Sequence, residues 1–117
     1  MTAAFQQRLN EMFDTLAPCE VWISGHRFDI EFFDATSLHE DSLGEMDFKT
    51  STIRIWKGLN EDMKRNVLIH EVIHAQFEFA GLTDESKEEE LVDRLATAQT
   101  ALLRDPRNRV VVDYLIN

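Results

Sequence analysis

His70-Glu71-Val72-Ile73-His74 is the stretch on which the reading of this chain turns. Two imidazoles stand four positions apart with a glutamate between them, the HExxH pattern. On an α-helix, residues i and i+4 leave the same face one turn apart. That spacing lets two ring nitrogens converge on one zinc ion, with Glu71 beside the metal where it can take a proton from water. His70 and His74 are therefore candidate metal ligands, and Glu71 is the candidate general base.

The flanking residues make the helix and bury it. Asn60 is a good N-cap, and Glu61 and Asp62 suit the positive end of the helix dipole. The helix is expected to run to about residue 80, with Gly81 as its stop. Leu68, Ile69, Val72, Ile73, Ala75, Phe79 and Ala80 are apolar around much of the circumference, and Met63, Val67 and Phe77 flank the two histidines. A helix apolar nearly all round belongs in the middle of its domain. A single histidine there is ordinarily a core residue bonded to a carbonyl. Two of them one turn apart in dry surroundings need a shared partner, because an unpaired buried imidazole is costly. A metal ion supplies that partner.

The third ligand is expected from the next helix. Thr83 or Asp84 can cap it, and apolar periodicity carries through Leu91, Val92, Leu95, Ala98, Leu102 and Leu103 to Pro106. Its first turns hold Glu85, Glu88, Glu89 and Glu90. An acidic helix start is usually solvated and favoured by the dipole, and Glu90, opposite the apolar face, fits that description. On one continuous helix Glu88 projects from the centre of the apolar face and Glu89 from its edge. No third histidine follows at the metzincin spacing, where Phe77 and Ala80 stand. The economical site is His-His-Glu, with Glu88 and Glu89 as the two candidates.

Upstream, residues 3–16 place Phe5, Leu9, Met12, Phe13 and Leu16 at helical spacing, ended by Pro18. Glu20 to Ser24 reads as a short strand or a turn. Arg27 to Asp34 alternates as a strand, with Phe28, Ile30 and Phe32 on one side. Residues 35–42, containing His39, read as a loop. Gly44–Asp47 and Thr52–Trp56 read as strands joined by Phe48-Lys49-Thr50-Ser51, with Ile53 and Ile55 on a buried face. The Val110-Val111-Val112 tail is compatible with a strand or with a short helix packing Tyr114 and Leu115.

A chain of 117 residues, 44% apolar with eight Phe, supports one domain over residues 1–117. A net charge of −10 argues against a nucleic-acid partner, since duplex binding relies on clustered Lys and Arg. Cys19 is the single cysteine and forms no internal disulfide. No signal pattern opens the chain and no apolar run approaches membrane-spanning length, so a cytoplasmic protein with no membrane partner is expected.

Residues 44–106 carry a resemblance. The Gly44-Glu45-Met46-Asp47 strand, Ile53-Arg54-Ile55, HEVIH, and Glu88-Glu89-Glu90-Leu91-Val92-Asp93-Arg94-Leu95-Ala96 together resemble the small zincin-type metallopeptidases of the gluzincin group. These are compact proteins often encoded by phages and prophages, and the chain is more distantly similar to peptidases of the ImmA/IrrE type. The resemblance implies an α+β minimal zincin-like fold. A small, mostly antiparallel sheet would pack on the HExxH helix, with the Glu-bearing helix and an N-terminal helix completing the core. It also implies a third ligand four residues before an acidic residue that orients a histidine, a relation in which Glu89 and Asp93 stand. Glu88, beside Glu89, has Val92 one turn on, so Glu89 is the preferred ligand. An edge strand along the cleft, here Thr52–Trp56, would pair with an extended peptide. The implied function is zinc-dependent hydrolysis of a peptide or protein substrate. The alternative is a non-catalytic, zinc-stabilised binding or regulatory module.

Overall fold

Two β-hairpins build the sheet. The computed structural model of the protein describes residues 17–34 and 43–117, so the helix expected over residues 3–16 and the loop with His39 lie outside the described residues. In the first hairpin, β1 (Glu20–Ile23) pairs antiparallel with β2 (His26–Phe33). Ser24 and Gly25 both have positive φ, 49° and 82°. That is the type I′ turn whose twist matches the flanking strands. In the second hairpin, β3 (Gly44–Asp47) pairs antiparallel with β4 (Thr52–Trp56). Asp47 Oδ1 accepts hydrogen bonds from the amides of Lys49 (2.9 Å) and Thr50 (3.3 Å) and shapes the turn.

A parallel seam joins the hairpins, with Ile30 opposite Ile53 and Phe32 opposite Ile55. The strand order is β1-β2-β4-β3, a mixed sheet in which one of the three pairings is parallel. This corrects the expectation that β4 is the edge strand. It is bonded on both sides, and among the described strands β1 and β3 form the edges. Alternation within Thr52–Trp56 reports which face is buried, and it is silent on which neighbours the strand has.

The alternation itself holds. Phe28, Ile30, Ile53 and Ile55 are buried on one face of the sheet. On the other face Arg54 lies between Glu31 (3.3 Å) and Glu45 (3.1 Å), one residue from each neighbouring strand.

The buried face packs on helix α1 (Glu61–Phe79). Asn60 caps it, its side chain accepting from the amide of Met63 at 2.8 Å. At its other end Gly81, at φ 77°, takes the left-handed conformation that a side chain disfavours. The amides of Gly81 and Leu82 bond back to the carbonyls of Glu78 (3.1 Å) and Phe77 (2.8 Å), which closes the last turn. Val67, Leu68, Val72 and Ala75 of α1 meet the sheet. Ile69, Ile73 and Phe77 meet Val92, Leu95 and Ala96 of helix α3 (Glu89–Arg104). Helix α1 is thus sandwiched, as its all-round apolarity requires.

The Glu-bearing segment is two helices, where the periodicity predicts one. Helix α2 (Thr83–Ser86) closes with the amides of Lys87 and Glu88 bonded to the carbonyls of Asp84 (3.2 Å) and Glu85 (3.1 Å). Glu88 then takes ψ 87° and becomes the N-cap of α3. In a continuous helix Asp84 and Glu88, and Glu85 and Glu89, would stand as like charges one turn apart, an arrangement that destabilises helices. The break separates them. A 3₁₀ turn (Pro106–Asn108) leads to α4 (Arg109–Ile116), so the tail is helical. Most of its apolar side chains are exposed, Tyr114 at 83% and Leu115 at 71%, while Val112 is half-buried. No described helix is long and apolar enough to cross a membrane.

Gly44 sets the distance between the edge strand and α1. A Cβ there would overlap Val67 Cγ1 and lie 3.0 Å from the carbonyl oxygen of Arg54. Overpacking of this kind costs about 1–3 kcal/mol. Gly44→Ala is expected to lower stability by that amount in a denaturant titration, and Val67→Ala in the same chain should recover part of it. Equal stability of Gly44→Ala and wild type would contradict the close approach.

Candidate metal centre

His70 and His74 sit where α1 turns from its sheet-facing side to its α3-facing side. They open into a cleft of about 440 Å³ lined by Gly44, Glu45, Met46 and Phe48 from the second hairpin, Glu71 of α1, Ser86 of α2 and Glu89 of α3. The three expected ligands converge. Glu89 Oε2 lies 3.1 Å from His70 Nε2, and Glu89 Oε1 lies 3.1 Å from His74 Nε2. The two Nε2 atoms are themselves 3.1 Å apart. Among the described residues these three form the group whose donor atoms all lie within 4.8 Å of one another.

The tautomers show what this convergence means. His70 Nδ1 is 2.7 Å from Asp93 Oδ1, and an ionised carboxylate only accepts, so Nδ1 carries the proton. His74 Nδ1 is 3.1 Å from Ser86 Oγ. With a proton on each Nδ1, both Nε2 atoms present lone pairs to each other and to a carboxylate. Such a nest of acceptors could hold a cation. A tetrahedral zinc with ligand bonds of about 2.0–2.1 Å separates its donors by about 3.3 Å. The 3.1 Å approach of the two Nε2 atoms to each other and to one Glu89 oxygen apiece is compatible with that requirement, so His70, His74 and Glu89 could hold zinc in the open cleft.

Glu71 is 6% exposed. Burial pushes its carboxyl up to about 7; nearby Glu89 and Glu45 push the same way, and His74 opposes them. A carboxyl poised near neutrality can both accept and release a proton at working pH.

Other expected residues fall elsewhere. Glu88 is exposed at the start of α3 and does not line this cleft; it borders a second hollow with Glu89, Glu90, Leu91 and Arg94. Its expected place on the apolar face depended on a helical phase that the break after α2 resets. Glu89 and Asp93 are more open than a half-buried pair, each side chain being 66% exposed. Outside the expected set, His26 stacks on Phe79 with ring centroids 4.3 Å apart and does not line the cleft. Sequence reasoning missed Ser86, Glu45 and Phe48. The β3–β4 turn signal marked the place of Phe48, but the acidic run after α2 drew attention away from Ser86.

Zinc affinity is expected to fall most in Glu89→Ala, which removes a candidate ligand. Asp93→Ala should lower it about 10–100-fold, the usual effect of losing a carboxylate that orients a ligand histidine. Glu88→Ala and Glu90→Ala should leave it nearly unchanged. A competition titration in which Glu88→Ala is the most damaging of the four would reassign the third ligand.

In comparisons with protein-family models, curated proteins and solved structures, none matches the chain.

Proposed function

We propose that the protein is a zinc-dependent metallopeptidase. One observation carries the reading: the Nε2 atoms of His70 and His74, 3.1 Å apart and each 3.1 Å from a different oxygen of Glu89, share an open cleft with the buried Glu71. Zinc held there supplies Lewis-acid polarisation of a carbonyl and activation of water at neutral pH. The Glu71 carboxylate takes one proton from the attacking water and delivers it to the leaving amine nitrogen as the peptide bond breaks. Asp93 keeps the Nε2 of His70 turned to the cleft.

Strand β3 supports the choice of a peptide as substrate. Among the described strands it is the edge beside the cleft, and an extended chain laid along it would gain main-chain hydrogen bonds. Acidic Glu45 and Glu89 on the walls add to a net charge of −10 in disfavouring nucleic acid as the partner. The exposed thiol of Cys19 suits a reducing, cytoplasmic setting.

Digestion of a peptide library by the zinc-loaded protein tests the reading. Cleavage that stops with a chelator and returns with added zinc is expected. If protein carrying one zinc per chain cleaves no peptide, a zinc-stabilised binding or regulatory module becomes the better account.

A further inference from the structure

We propose that Ser86 is a positioning residue that fixes the His74 ring with Nε2 directed at the metal site. This rests on the metal-centre reading and extends it to the second ligand histidine. Ser86 is 6% exposed and ends helix α2, packed beneath the C-terminal half of α1. Its Oγ donates to the backbone carbonyl of His74 at 3.3 Å and lies 3.1 Å from Nδ1 of the same residue.

A hydroxyl has one proton and two lone pairs. With its proton committed to the carbonyl, Ser86 can meet Nδ1 only as an acceptor, so Nδ1 must carry the ring proton. Nε2 is then left with its lone pair toward Glu89 and His70. One side chain thereby reads both the main chain and the ring of a single residue, and only one tautomer satisfies both bonds. In the opposite tautomer the ring would have to recruit the hydroxyl proton, leaving the carbonyl without this bond and pointing an N–H at His70 Nε2.

The two ligand histidines are therefore held by different chemistries. Asp93, on α3, holds His70 through a charged acceptor that is 66% exposed. Ser86, on α2, holds His74 through a neutral, buried one. The break between α2 and α3 has a role here: α2 is the separate element that delivers this hydroxyl. Removing an acceptor that orients a metal-binding imidazole typically changes affinity about 10–100-fold.

The test uses histidine ring ¹⁵N NMR of the zinc-free protein at pH 8, with a zinc competition titration alongside. Wild-type His74 is expected to be protonated at Nδ1, and Ser86→Ala to populate the Nε2-protonated form and bind zinc about 10-fold or more weakly. Ser86→Thr, which keeps the hydroxyl, should hold the wild-type tautomer. An Nε2-protonated His74 in the wild type overturns the proposal without need of any variant. So does a Ser86→Ala protein that keeps the wild-type tautomer, or whose zinc affinity stays within about twofold of wild type. The tautomer is read without metal, so a chain that binds zinc but hydrolyses nothing still gives a decisive answer on Ser86.

Discussion

Glu71→Gln is expected to cut peptide hydrolysis by about 10²–10⁴-fold, the range associated with a general acid–base group, while zinc content stays near one per chain. The amide keeps the shape of the side chain and is close to the ligand histidines without being one of them. It cannot take the proton of the attacking water. If the variant cleaves a peptide as fast as wild type, Glu71 has no part in proton transfer. The same substitution should act in the opposite direction on the stability of the zinc-free chain. Burial raises the Glu71 carboxyl from 4.5 to about 7, so the folded state favours the protonated form. Its stability contribution is fully present below pH 4.5 and is lost as pH rises through about 7, a difference of about 3 kcal/mol for a shift of about 2.5 units. Zinc-free Glu71→Gln should lack this decline and be the more stable protein at pH 8. Denaturant titrations at pH 4.5 and 8 measure both slopes; parallel behaviour of the two proteins would show that the carboxyl is not strained by burial.

His70→Ala and His74→Ala should each abolish stoichiometric zinc. Each removes a nitrogen donor from the proposed three-ligand set and leaves Glu89 facing one imidazole. Wild-type protein purified without chelator should carry close to one zinc per chain by elemental analysis. Loss of the ion also removes the stabilisation that comes from binding only the folded state, about 4 kcal/mol at free zinc 1,000 times the dissociation constant. For a domain of this size that corresponds to a fall in thermal midpoint on the order of 10 °C or more. Wild-type protein that holds no zinc and takes none up would remove the basis of the peptidase reading.

What the sequence disclosed was local. HExxH, the Asn60 cap, the Gly81 stop and the turn at Phe48-Lys49-Thr50-Ser51 are each determined by residues within a few positions of one another, and each stands where expected. The burial of α1 on both sides followed from apolar residues around its circumference. Strand neighbours did not follow, because the β2–β4 seam joins segments that local alternation cannot pair. The break at Lys87-Glu88 also passed unseen. Neither residue is Gly or Pro, and the apolar rhythm of Val92, Leu95 and Ala96 continues past it. That hidden break misplaced Glu88 and concealed Ser86. Glu89 still faces both histidines, with Asp93 one turn on, because that relation lies wholly inside α3 and is untouched by the break.

Every proposed metal donor, and both side chains that orient the histidines, lie in the helical segment of residues 61–104. The sheet contributes none of them, yet it supplies the strand along which a peptide would lie. Metal retention and peptide binding would consequently interrogate different halves of the molecule. A lesion in the β2–β4 seam can leave a fully metallated protein that has lost its substrate, and such a protein would pass an elemental assay as intact.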